Sequence, residues 1–244
     1  MADLLVIVPS RGRPESVARV VEAWTATAAW ETADLLFAVD ADDPAVADYR
    51  RAVRAGSIAP GVTGAVWLQV TPTWIPMVHK LDDAARTFAS EGYLALAFAG
   101  DDHLPRSVGW AGRYLAELRE LGTGIVYGDD LIQGERLPTQ WAMTSDIVRA
   151  LGRMVPAPVE HLACDDSILA LGKATACIRY LPDVVIEHMH PIAGKAAWDE
   201  GYRRVNRQEQ YRKDLAAFAD WRHSGLAEDA AKVRALREVR SGSA

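Results

Sequence analysis

Cysteine is nearly absent from this 244-residue chain: only Cys164 and Cys177 occur, which excludes a disulfide scaffold and points to a reducing, cytoplasmic compartment. Both read as small buried hydrophobes. No run of about 18 apolar residues free of charge occurs, so a transmembrane helix is not expected. The apolar stretch Leu4 to Val8 is too short for an export signal and has no basic region before it, so neither export nor a membrane anchor is expected. Positive charge is not in excess either. Lysine plus arginine number 27 against 33 for aspartate plus glutamate, a formal net charge of -6. That argues against a generally basic nucleic-acid-binding surface and leaves only a local basic groove open. Neither G-x-G-x-x-G nor G-x-x-x-x-G-K-[ST] is present, which argues against a dinucleotide dehydrogenase and a P-loop enzyme. The common zinc signatures, Cys-x-x-Cys and His-Glu-x-x-His, are missing as well.

What remains is an ordinary globular composition, 50% hydrophobic and 25% charged, enough for one sizeable core. Four aliphatic runs, Leu4 to Val8, Leu35 to Val39, Ala65 to Val70 and Tyr93 to Ala99, alternate with helical patterns. Val17, Val20, Val21 and Trp24 mark a helix opened by Pro14, and Met77, Leu81, Ala84, Ala85 and Phe88 mark another. This alternation predicts an α/β fold with a mostly parallel central sheet, right-handed crossovers and helices on both faces. Ligands in such sheets bind beyond the C-terminal strand ends.

The second half is less regular. It reads as a helix through Leu115, a strand at Ile125 to Tyr127, a hairpin or loop over 129–141, and a short helix to Leu151 capped by Thr144 or Ser145. A helix over 165–171 stopped by Gly172 follows, and then the run Tyr180 to Glu187, interrupted by Pro182, with a strand at Val184 to Ile186. From about Ala196 the pattern is helical, ending in the polar tail Ser241 to Ala244. With no Gly/Ser/Pro-rich linker, residues 1–195 read as one domain with halves 1–103 and 104–195, and 196–244 as a helical arm or lid on it.

Three strand ends carry polar clusters: Pro9-Ser10-Arg11, Asp40 to Asp43, and Asp101-Asp102-His103. Two adjacent carboxylates at a sheet mouth suit Mg2+ or Mn2+, or else cap a turn. His188 and His190 alternate onto one side and can ligate Mn2+ or Zn2+; the other reading is one exposed and one buried, hydrogen-bonded histidine. Cys164-Asp165-Asp166 at a helix start offers either dipole compensation or a general base. Arg11, Arg13, Lys80 and Lys195 suit a phosphorylated ligand or a solvated surface. Trp74, Trp141 and Trp198 stand in polar or loop contexts where a sugar ring can stack.

In order, these segments resemble the GT-A fold glycosyltransferases, in particular the broad family 2-like group. Leu4 to Arg11 resembles that fold's first strand and nucleotide-binding loop, and Leu36 to Asp40 its second strand with a terminal aspartate at the base. Val78-His79-Lys80-Leu81 resembles the helix start whose basic residue lies near the donor. Phe98 to Asp102 resembles the D-x-D segment, with Ala99 where the first acid usually stands. Cys164-Asp165-Asp166 resembles x-E-D, with Asp165 in place of glutamate, and Glu187-His188 resembles the histidine that completes the metal site.

The resemblance implies a glycosyltransferase using Mn2+ or Mg2+, held by Asp102 with Asp101 and by His188, His190 being the second choice. Asp166, with Asp165 beside it, takes the base role, which implies inversion. Pro9, Ser10, Arg11 and Asp40 hold the nucleoside, while Asp101, Lys80 and Lys195 face the rest of the donor. A nucleotide-sugar, first a UDP-sugar, is the implied donor. A soluble molecule or an exposed protein surface supplies the acceptor hydroxyl, and the stretch Gly194 to Tyr202 closes as a lid. Two other classes stay open: a nucleotidyltransferase that makes nucleotide-sugars, and a non-catalytic nucleotide- or carbohydrate-binding module.

Overall fold

Continuous aliphatic strands need apolar cover on both faces, and the first half of the chain supplies it. Strands β1 (Leu4–Pro9), β2 (Ala33–Asp40), β3 (Val66–Thr71) and β4 (Ala95–Phe98) run parallel in the order β3-β2-β1-β4. Along β1 the side chains divide by parity. Leu5 and Ile7 join the layer of helix α3 (Met77–Phe88), whereas Leu4, Val6 and Val8 join that of α1 (Ser16–Ala26) and α2 (Val46–Ser57). The computed structural model describes residues 2–205 and 207–241; Gly242 to Ala244 of the expected polar tail lie outside them.

The second half adds β5 (His103–Pro105), α4 (Trp110–Leu121), β6 (Ile125–Asp129), β7 (Trp141–Thr144), α5 (Ser145–Leu151), α6 (Cys164–Thr175) and β8 (Ile178–His188). They complete the order β3-β2-β1-β4-β7-β6-β8-β5. Here the sheet becomes mixed: β7 is antiparallel to β4 and β6, β5 is antiparallel to β8, and β6 and β8 are parallel.

Four local expectations change. Trp141 does not stand in a loop for a sugar to stack on; it opens β7, is fully buried, and packs on Phe98 with ring centroids 4.5 Å apart. Gly172 does not stop α6, which runs on to Thr175, because a glycine there lets the helix lie against β8. A Cβ at Gly172 would meet Ile178 Cβ at 2.5 Å. Thr144 and Ser145 do not cap α5. The Thr144 hydroxyl accepts from Gly124 N at 3.2 Å and that of Ser145 donates to the Tyr93 carbonyl at 2.7 Å. Pro182 does not interrupt β8, since it falls where the β6–β8 register shifts between Gly128/Leu181 and Asp129/Val185, a bulge that tolerates a missing N–H.

The C-terminal helices α7 (Glu200–Val205), α8 (Gln208–Ser224) and α9 (Leu226–Ser241) join this body. Trp221, Ala230 and Val233 are buried in the same layer as α3. Trp221 Nε1 donates to Asp229 at 2.9 Å, and the Asp214 carboxylate accepts from the backbone N–H groups of Glu160, His161 and Leu162 at 2.8–3.1 Å. Among the described residues no helix is long and apolar enough to cross a membrane.

Gly172→Ala is expected to destabilise the protein by about 1–3 kcal/mol through overpacking against Ile178. Urea unfolding measures it, and an unchanged midpoint would mean that α6 and β8 do not touch there.

Candidate functional site

Parallel pairing brings the C-terminal ends of β1, β2 and β4 to one edge, where the end of β8 and the start of α6 join them around a cleft of about 1010 Å³. Pro9, Ser10, Arg11, Asp40, Lys80, Asp101, Asp102, Asp165, Asp166, His188 and His190 all line it.

The antiparallel register of β5 with β8 sets His103 opposite His188, and their rings stack at 4.0 Å. Asp102 lies between them, with Oδ1 3.2 Å from His103 Nδ1 and Oδ2 3.3 Å from His188 Nε2. Each of the three residues offers one ligand atom, and these atoms lie within 4.8 Å of one another. Behind His188, Nδ1 faces Asp130 at 3.9 Å, a charge contact too long for a hydrogen bond. Asp130 is itself held by the N–H groups of Ile132, Gln133 and Gly134 at 2.6–3.0 Å.

Burial works to raise the Asp102 pKa, but the two imidazoles outweigh it and hold the carboxyl well below the usual range. Burial likewise works to lower His188, yet Asp102 and Asp130 push it up to about 9. Enclosure and the His188 charge push His103 down, so its ring is neutral. A divalent cation would replace the proton that now ties Asp102 to His188. One carboxylate oxygen, two imidazole nitrogens and a carboxylate behind one imidazole form a donor set that fits Mn2+.

Asp101 and His190, both expected as ligands, lie outside this group. Asp101 turns to the β1 loop, accepting from Ser10 Oγ at 2.5 Å and Arg13 at 3.0 Å. Its burial and the Asp102 charge push it up to about 6 against the pull of Arg13. His190 Nδ1 accepts from Ile192 N at 3.1 Å, and its ring lies 5.0 Å from that of Tyr202.

The cations of the β1 loop and of α3 are paired. Lys80 Nζ lies 2.7 Å from Asp40 Oδ2, and Arg11 contacts Asp40 at 3.0 Å and Asp42 at 2.9 Å. Burial opposes the Asp40 charge, but Lys80 and Arg11 outweigh it and lower its pKa. Between Arg11 and Arg13, Gly12 takes φ +70 and donates to Asp43 at 2.7 Å, a left-handed turn that glycine permits. Lys195 lies apart from the cleft lining, 2.7 Å from Glu187. From α7, Tyr202 donates to Asp102 Oδ2 at 2.6 Å beneath Arg13, whose guanidinium stacks 4.0 Å over its ring and pairs with Asp199 at 2.7 Å.

Across the cleft, Asp165 and Asp166 occupy the first turn of α6. Asp165 accepts from Asp166 N at 3.0 Å, and burial with the Asp166 charge pushes it up to about 6. Burial raises Asp166 as well. The Cys164 thiol, fully enclosed, is raised far above its usual value, which removes it as a nucleophile. Trp74 lines the cleft 45% exposed, while Trp198 packs its edge on Tyr202 at 6.2 Å.

Two residues escape sequence reasoning. His103 carried a faint signal, its place in a polar strand-end cluster, but its partner is 85 positions away and appears only through strand pairing. Asp130 follows Asp129, the last residue of β6, and nothing local links it to His188.

No family model and no curated protein matches this chain. Solved structures do. S. aureus TarS 1-349 superposes with a TM-score of 0.55 at 12% identity, over 100% of this chain and 92% of that one. It has also been solved with UDP and with UDP-GlcNAc. Glucosyl-3-phosphoglycerate synthase from Mycobacterium tuberculosis, in complex with Mn2+, UDP and glucosyl-3-phosphoglycerate, gives 0.58 at 10% identity over 90% of this chain and 79% of that one. The chain therefore has the GT-A nucleotide-diphospho-sugar transferase fold.

Mn2+ is expected to raise the melting temperature of the native protein and of His190→Ala, but not of Asp102→Asn or His188→Ala. Differential scanning fluorimetry reads the shift, and its loss in His190→Ala alone would move the ligand set.

Proposed function

We propose that this protein is a glycosyltransferase that moves a sugar from a nucleotide-sugar to a hydroxyl acceptor with inversion. One observation carries the reading: the Asp102, His103 and His188 group, the donor-side loop and the Asp165-Asp166 pair face one cleft at the strand ends of this fold. The UDP complexes of both superposed enzymes support a uridine nucleotide as donor.

In this reading residues 1–103 hold the nucleotide, 104–195 the acceptor, and α7 closes the donor side. Mn2+ or Mg2+ on Asp102, His103 and His188 supplies charge neutralisation at the leaving diphosphate. Pro9, Ser10 and the Arg11–Asp40–Lys80 ion pairs form the nucleoside wall. Asp166 receives the proton of the acceptor hydroxyl, whose oxygen bonds the anomeric carbon as the carbon–phosphate oxygen bond breaks, and the electron pair leaves with the nucleoside diphosphate. Asp165 holds the α6 turn through Asp166 N, and burial keeps the proton affinity of Asp166 high.

A panel of UDP-, GDP-, dTDP- and CMP-sugars, each with and without Mn2+, tests the donor by thermal shift. Stabilisation by a UDP-sugar, larger with Mn2+, is expected; no response to any donor would sink the reading. Pyrophosphate release from a nucleoside triphosphate and a sugar phosphate would instead assign nucleotidyl transfer.

Asp166→Asn is expected to lower kcat by at least about 100-fold while donor affinity stays within about twofold, because Asp166 acts on the acceptor. Full turnover by this variant would remove Asp166 as the base.

The pH profile has a fixed sign. A base with a raised pKa keeps its proton to higher pH, so kcat/KM falls on acidification above the ordinary carboxylate range near about 4. An acidic limb at or below that value would contradict a buried carboxylate base.

A further inference from the structure

The His103 ring has two edges with different surroundings. Nδ1 accepts from Gly100 N at 3.0 Å at the corner that holds Asp102. His103 also lines a second, much smaller cavity walled by residues of β1, β4, β5, β7, β8, α1 and α4. That cavity has about 10 Å³ open to the centre of a water-sized sphere, room for one water-sized occupant.

Four of its lining residues carry a buried nitrogen: His103 Nε2, Trp110 Nε1, Gln140 Nε2 and Trp141 Nε1. Their residues are 4%, 3%, 2% and 0% exposed, and none of the four atoms has a hydrogen-bond partner in the protein. Among the described residues only Ser16 Oγ shares that condition. Unpaired buried donors are costly and scarce, so four of them around one water-sized space form a coherent set.

Every one of them is a donor. An indole N–H can only donate. The Gln140 Oε1 accepts from Tyr114 Oη at 2.6 Å, which leaves its NH2 as the unpaired group. An imidazole that accepts from Gly100 N at Nδ1 carries its proton on Nε2.

We propose that this cavity is a binding site for a single monatomic hydrogen-bond acceptor, a water oxygen or a halide ion, which locks His103 as the Nε2–H tautomer. The His103 ring is thereby positioned from behind, as imidazoles beside metal groups commonly are. A water offers two lone pairs to the donors, whereas a halide can accept from all four. Occupancy of the cavity does not depend on sugar transfer and stands or falls separately from it.

Crystals of the full chain grown in bromide medium and in halide-free medium test the site. An anomalous bromine peak in the cavity supports the site with a halide as occupant. A peak of the same height in both media, without anomalous signal and about 2.7–3.2 Å from the nitrogens, supports it with water. A featureless cavity, in maps where other buried waters are clear, overturns the proposal. Nitrogen-15 spectra of histidine-labelled protein read the tautomer: Nε2–H is expected for His103, and Nδ1–H overturns the lock.

Discussion

Asp102 is a carboxylate held inside the protein between two imidazoles, and much of the site follows from what that position requires. An ionised carboxylate away from water needs opposite charge and donors around it. His188 supplies charge on one side, His103 closes the other, and the Tyr202 hydroxyl donates from above. Each of these groups is then constrained in turn. His188 sits between Asp102 and Asp130, and Asp130 is fixed by a loop that wraps three backbone N–H groups around it. His103 borders the small inner cavity, so the metal group and the core share a wall.

Arg13 is the counterweight on the donor side. Its guanidinium meets Asp101 from the end of β4, Asp199 from the segment before α7, and the face of the Tyr202 ring. One side chain thus links the first loop of the chain to its C-terminal part across the mouth of the cleft. The Tyr202 hydroxyl under that guanidinium occupies the oxygen of Asp102 that also faces His188. Arg11 and Lys80 are likewise matched by Asp40, so the donor wall carries cations whose charge is already balanced from beneath.

The fold was largely legible in sequence wherever its rule is local. Aliphatic runs without alternation require two apolar faces, and Leu4 to Val8 divides its side chains between two core layers accordingly. The same logic placed Asp40 and the Asp101-Asp102 pair at strand ends. It failed at Trp141 and Gly172, where the deciding contacts, Phe98 and Ile178, come from other elements. An isolated tryptophan among turn residues looks like loop, and a glycine at the end of a periodic run looks like a stop. Whether either is so depends on what packs against it.

Local pattern alone carries the parallel half of the sheet, the clustering of acids beyond its strands and the helix start that bears Asp165 and Asp166. These are consequences of periodicity and of polar residues at the ends of apolar runs. Only tertiary structure decided how the acids divide: Asp101 goes to Ser10 and Arg13, while Asp102 goes to His103 and His188. Adjacent residues of one turn point different ways, and partners far apart in the chain meet through an antiparallel strand pair. Pairing register is a property of the assembled sheet, because a shift of one residue exchanges its faces, and no local pattern around His103 or Asp130 encodes it.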